Sequence, residues 1–145
     1  MHTVRLYLKT GLVLIDSACV SIDEKGTLAG SIAKLCSTPT KNDEGTTIYR
    51  LLKKANVCGK SAECVIEIGE EKLFTITFLF DFIEFFEYSA LESKIIKTCE
   101  NSSKLNFVSD HPTIAFLSPC KWGQARFFYD RKQGDLSLNI IFKRR

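Results

Sequence analysis

The sequence is poor in the residues that build special chemistry. It has two histidines in 145 residues, His2 and His111. A zinc site needs four close ligands, and no such set is visible in the spacing, so no metal or cofactor is expected. The glycine-rich phosphate loops, the GxSxG elbow and the HExxH helix are all absent. Three prolines and eight glycines form no Pro- or Ser-rich linker, and no internal repeat is present. Long hydrophobic runs are also missing. Residues 73–80 form the longest uncharged apolar stretch beyond the N-terminus, far short of the roughly 20 residues that span a bilayer as a helix. His2, Arg5 and Lys9 precede Gly11-Leu12-Val13-Leu14-Ile15. Asp16 ends that run below the roughly 7–15 apolar residues of a secretory signal.

Six cysteines are present: Cys19, Cys36, Cys58, Cys64, Cys99 and Cys120. None forms a C-x-x-C pair and none clusters. Several lie among apolar neighbours, where a free Cys acts as a small hydrophobe. They read as reduced thiols of a cytoplasmic or nuclear protein.

What is present is an ordinary globular balance, 45% hydrophobic and 26% charged. At this length a single core removes on the order of two-thirds of the chain's surface from water, so one domain over residues 1–145 is expected. The formal charge is +3, unevenly distributed. Residues 1–61 carry net +4, residues 62–100 net −6 and residues 121–145 net +5. Such a layout steers association more than it adds affinity, unless the regions pair in space and cancel.

Strand signals dominate. Val4, Leu6 and Leu8 alternate with polar neighbours. Residues 12–22 form a second apolar run, broken near Asp16-Ser17. Asp23-Glu24-Lys25-Gly26 is hairpin chemistry, and 27–35 follows as a return strand or a short helix. Cys64, Ile66 and Ile68 share a face, then Phe74, Ile76, Phe78 and Phe80 do so after a turn at Gly69-Glu70-Glu71-Lys72. This is the strongest hairpin in the chain. Residues 124–129 and 135–142 predict a second hairpin with Arg131 and Lys132 at its tip, after a short strand at 113–117.

Two helices are expected. Ile48, Leu51, Leu52 and Ala55 recur at helical spacing, with Gly59 as a stop, so 46–57 predicts an amphipathic helix. A second helix starts near 82, with Asp81-Phe82-Ile83-Glu84 as its cap, or near 90, with Ser89-Ala90-Leu91-Glu92. In the second case 82–88 is a strand. The whole predicts an α+β domain, mainly antiparallel sheet with two helices on one face.

Nucleophilic catalysis by cysteine needs a base and an orienting group. His111 and Cys120 beside Lys121 form the only such approach, and a surface His with a half-buried Cys explains them as well. An enzyme is not expected. Two surfaces carry more. Six of eleven phenylalanines fall at 74, 78, 80, 82, 85 and 86. Phe78, Phe80, Phe82, Phe85, Phe86 and Tyr88 predict an interface with a protein partner or a second copy, because interfaces are rich in aromatics. Lys121, Trp122, Arg126, Arg131, Lys132, Lys143, Arg144 and Arg145 surround Phe127, Phe128 and Tyr129. Cations beside aromatics are what single-stranded nucleic acid binds. The other explanation is core-facing strand aromatics and a solubilising tail.

Residues 19–30, the segment 46–57 and residues 63–78 together are similar to the roadblock and longin scaffolds of membrane-trafficking complexes, over about half the chain. Ile76-Thr77-Phe78 followed by Phe82, Phe85, Phe86 and Glu87, then Pro112-Thr113-Ile114-Ala115-Phe116, is similar to part of a sliding-clamp domain. The two likenesses imply opposite structures for 82–88, so they exclude each other, and no family is assigned from them. The expected function is a non-catalytic interaction subunit of a larger intracellular assembly. The alternative is a nucleic-acid-binding module using the C-terminal hairpin. Thiol titration of the denatured, unreduced protein is expected to return all six sulfhydryls. Two or more missing would overturn the cytoplasmic or nuclear expectation.

Overall fold

The computed structural model describes residues 1–71, 73–98, 104–108, 113–117 and 121–143. Alternating apolar residues build most of it into one sheet. In chain order the strands are β1 (His2–Tyr7), β2 (Leu12–Ile15), β3 (Ala18–Cys19), β4 (Thr40–Lys41), β5 (Thr47–Arg50), β6 (Ala55–Val57), β7 (Lys60–Ile68), β8 (Phe74–Phe80), β9 (Lys104–Val108), β10 (Thr113–Leu117), β11 (Gly123–Asp130) and β12 (Asp135–Phe142). The spatial order is β3-β2-β1-β6-β7-β8-β12-β11-β10-β9, with β4 and β5 branching from β7. The sheet is mixed: β1 and β6 run parallel, and the other described pairs are antiparallel.

Two helices interrupt the strands. The first, α1 (Gly30–Ala33), is a single turn, and the two readings of 27–35 share the segment: Leu28 pairs back on Ile22 as an antiparallel bridge before the helical turn begins. The second, α2 (Phe85–Ile96), buries Tyr88, Leu91, Glu92 and Ile95. The architecture is α+β, dominated by sheet.

Rows of side chains across the inner face form the core. Cys64, Phe78, Leu138 and Phe127 are laterally adjacent on β7, β8, β12 and β11, as are Ile66, Ile76, Ile140 and Ala125. All eight are buried. Thr77, one residue along β8, faces outward, and its hydroxyl donates to Asn139 Oδ1 at 2.8 Å.

The helix expected over 46–57 is not formed. Its residues supply β5 and β6, which share one edge of the long strand β7: Arg50 lies opposite Val65 and Ala55 opposite Ala62. Thr46-Thr47-Ile48-Tyr49 is rich in β-branched and aromatic residues, which suit a half-buried pleated surface. Pairing with β7 overrides the helical spacing of Ile48, Leu51, Leu52 and Ala55. Gly59 ends no helix. With Cys58 it makes the two-residue turn between β6 and β7, both at positive φ (52° and 87°).

The sheet curls on itself. Four strands separate β1 from β11 in the sheet order, yet the Trp122 indole N–H donates to the Leu8 carbonyl at 2.7 Å. The Trp122 ring lies against Gly11 and packs beside Phe142 at 5.4 Å between centroids. One apolar cluster consequently runs from Val4 to Ile140, with Trp122 and Phe142 packed on it.

Phe78→Ala is expected to cost about 3–5 kcal/mol, from lost transfer energy plus a cavity. Thr77→Ala should cost about 1 kcal/mol, one half-exposed hydrogen bond. Trp122→Phe leaves the Leu8 carbonyl without its donor and should cost about 1–3 kcal/mol. Denaturant unfolding of the three variants measures all of these, and equal losses at Thr77 and Phe78 would contradict the assignment of faces.

Candidate interaction surface

The path from β8 into α2 builds the surface. Leaving the sheet at Phe80, the chain turns through 81–84 and enters α2 with a reciprocal cap. The Glu84 side chain accepts from the Glu87 backbone N–H, and the Glu87 side chain accepts from the Glu84 N–H. This is a capping box, three residues beyond the earlier start considered from the sequence, and it makes 85–88 helical rather than strand. Ile83 anchors the turn. Its N–H donates to the Gly134 carbonyl at 3.0 Å, its carbonyl accepts from the Tyr129 hydroxyl at 2.8 Å, and its side chain is buried.

With Ile83 facing in, Phe82 faces out and is 72% exposed. Its ring lies on Gly134, whose φ is +69°. A Cβ there would stand 2.5 Å from Phe82 Cε2. At the start of α2, Phe86 is 68% and Phe85 43% exposed. The Arg131 guanidinium sits 4.4 Å from the Phe85 ring centroid, a cation–π contact. On the adjoining outer face, Leu79 and Phe128 flank Ser137 across β8, β12 and β11, and both are exposed. Half of the ten exposed large hydrophobics among the described residues thus gather around the β11–β12 tip.

Three residues expected at the interface are instead core. Phe78 and Phe80 point inward because their alternation with Thr77 and Leu79 puts even-numbered residues of β8 on the buried face. Tyr88 is buried by stacking on Tyr129, with centroids 4.6 Å apart at 11°. Its hydroxyl donates to the buried Glu92 carboxylate. Burial, then Glu92, push that hydroxyl well above the ordinary tyrosine range, so it keeps its proton. Leu79 and Phe128 were not among the interface candidates. The same alternation marks Leu79 as outward, but an isolated outward Leu signals nothing until its lateral neighbours are known.

The basic candidates separate. Lys121 and Lys143 lie beyond the start of β11 and the end of β12, and Arg131 and Lys132 lie at the opposite tip. Eight residues of β11 intervene, about 25 Å at roughly 3.3 Å each. Arg126 lies between them on the outer face. Trp122 is half-buried with its N–H engaged, so it is a structural residue rather than an open stacking platform. Arg144 and Arg145 lie outside the described residues, as do His111 and Cys120.

Ion pairs join the basic N-terminal region to the acidic middle. Lys54 Nζ contacts Asp81 at 2.6 Å, and Lys60 pairs with Glu87. These hydrogen bonds hold both carboxyls below their ordinary range. The thiols show the reverse. Burial pushes Cys64 up to about 12 and raises Cys36 and Cys58, so none of these three is activated as a nucleophile. Cys19, Cys36, Cys58 and Cys64 are all free. Among the described residues no group of three or more His, Cys, Asp or Glu side chains has the arrangement to hold a metal ion.

A carboxyl with a depressed folded-state pKa adds stability above the unfolded-state pKa and loses it as pH falls through the folded value. The double variant Asp81→Asn, Glu87→Gln should therefore be slightly less stable than the parent at neutral pH and converge with it in acid. Thermal unfolding from neutral pH to pH about 3 tests this, and a constant difference at every pH would contradict it. Gly134→Ala should cost about 1–2 kcal/mol from the left-handed backbone alone, with further cost from displacing Phe82.

No family model, curated protein or solved structure matches this chain.

Proposed function

We propose that the chain is a non-catalytic protein–protein interaction subunit of a larger intracellular assembly, and that its contact surface is the aromatic corner made by Phe82, Phe85, Phe86, Leu79 and Phe128. One observation carries this reading: Phe82 and Phe86 remain about 70% exposed on an anchored turn and a capped helix. Apolar area in water costs roughly 25 cal/mol per Å². Large contiguous patches of it mark interaction sites on soluble domains. Aromatic side chains with an Arg beside them are also the residue types that dominate binding energy at interfaces. Scattered free thiols support an intracellular setting. No described helix is long and apolar enough to cross a membrane.

The nucleic-acid reading is weaker on geometry. Its described cations are spread along a hairpin, with Arg126 alone between the two ends, and its tryptophan is engaged in the fold.

The test is the native mass of the protein in extracts of its source, compared with Phe82→Glu, Phe86→Glu. Neither side chain is in the core, so the variant should fold. It should lose its partner, because central interface aromatics contribute about 2 kcal/mol or more each. A folded double variant that keeps the parental complex would overturn the assignment. A parental mass that collapses on nuclease treatment would favour the nucleic-acid alternative.

A further inference from the structure

Between Leu79 and Phe128 the outer sheet face is indented. Ser137 lies between them on β12, Cα-paired with both, and its side chain is too small to fill the gap. The result is a slot of about 290 Å³ lined by Leu79, Phe80, Phe128, Asp135, Leu136 and Ser137. Small-molecule pockets run from about 300 to 1,000 Å³, so this one is side-chain sized. Its apolar side-chain walls are Leu79 and Phe128, since Phe80 and Leu136 face inward, and the exposed residue Asp135 lies beyond Ser137 toward the tip.

Among the described residues, acidic side chains outnumber basic ones on the outer face around the slot. By strand register the charged outward positions near it on β7, β8, β12 and β11 are Glu63, Asp135, Asp130 and Arg126. Three carboxylates and one guanidinium stand there, with the exposed Lys132 at the adjoining tip. Of the carboxylates, Asp130 already accepts from the Lys132 and Gln133 backbone N–H groups. At the tip, Arg131 lies over Phe85, on the α2 side.

We propose that this slot is a docking site for a partner segment carrying one large apolar side chain next to a lysine or arginine. The apolar side chain fills the space above Ser137, and the neighbouring cation meets Asp135. This rests on the reading of the aromatic corner as an interface and names the chemistry of the partner there. Complementary charge beside an apolar anchor adds specificity and speeds encounter.

The experiment selects a random-peptide library on the purified full chain and on Ser137→Leu and Asp135→Lys, with fold checked by circular dichroism. Selected peptides are expected to pair an apolar anchor with a nearby basic residue and to lose about tenfold or more in affinity on Ser137→Leu. Asp135→Lys should shift selection toward acidic neighbours. If Ser137→Leu does not fold, Phe128→Ala, which removes one wall, carries the same expectation. Failure to select any peptide, peptides without a basic neighbour, or unchanged binding to the slot variants would overturn the proposal. The two readings fail separately. A source complex lost on Phe82→Glu, Phe86→Glu but kept on Ser137→Leu removes the slot and leaves the corner. A complex kept by both removes the corner as well.

Discussion

Ile83 is the hinge on which the surface of this protein turns. Its side chain is buried, and both its backbone polar groups are taken, by the Gly134 carbonyl and the Tyr129 hydroxyl. A buried backbone group without a partner is costly, so the double attachment leaves this residue little freedom. Three consequences follow from it. Phe82 must face outward, on Gly134. The chain enters α2 where Glu84 and Glu87 can cap each other. Tyr88 then falls onto Tyr129, which carries α2 onto β11. The aromatic corner is thus the outward side of a well-anchored turn.

The curl of the sheet is the second constraint. A sheet this wide cannot remain flat, because strand twist accumulates. Here the curl brings the β1–β2 turn back to the start of β11, where Trp122 ties the two ends. That explains why a tryptophan beside lysine and arginine is not a binding platform. Its indole donor is spent on Leu8, more than one hundred residues away in sequence. The same curl gives the sheet one continuous buried face and one open face.

The charge layout is partly dissolved by folding. Lys54 and Lys60 meet Asp81 and Glu87, one pair on either side of the turn that leads into α2. These exposed pairs contribute little stability. The outward part of the β7–β8–β12–β11 face carries Glu63, Asp130 and Asp135 with Arg126 among them, while the tip cation Arg131 lies over Phe85. A bipolar sequence becomes a corner that is aromatic and cationic on one side and apolar and acidic on the other.

By itself, the sequence determined the strongly alternating strands, the two hairpins at 64–80 and 124–142, and the placing of aromatics near 82–86. In each case the signal is local: a period of two, a turn dipeptide, a spacing. Residues 46–57 show where local signals fail, because helical spacing over one short stretch yielded to the unsatisfied edge of β7. The faces of the aromatics were only half legible. Alternation buries Phe78 and Phe80 and exposes Leu79. Nothing local says that Leu79 and Phe128 meet across Ser137, that Tyr88 stacks under Tyr129, or that Trp122 closes the curl. Those contacts join residues from about 40 to more than 110 positions apart, and only strand order and register bring them together.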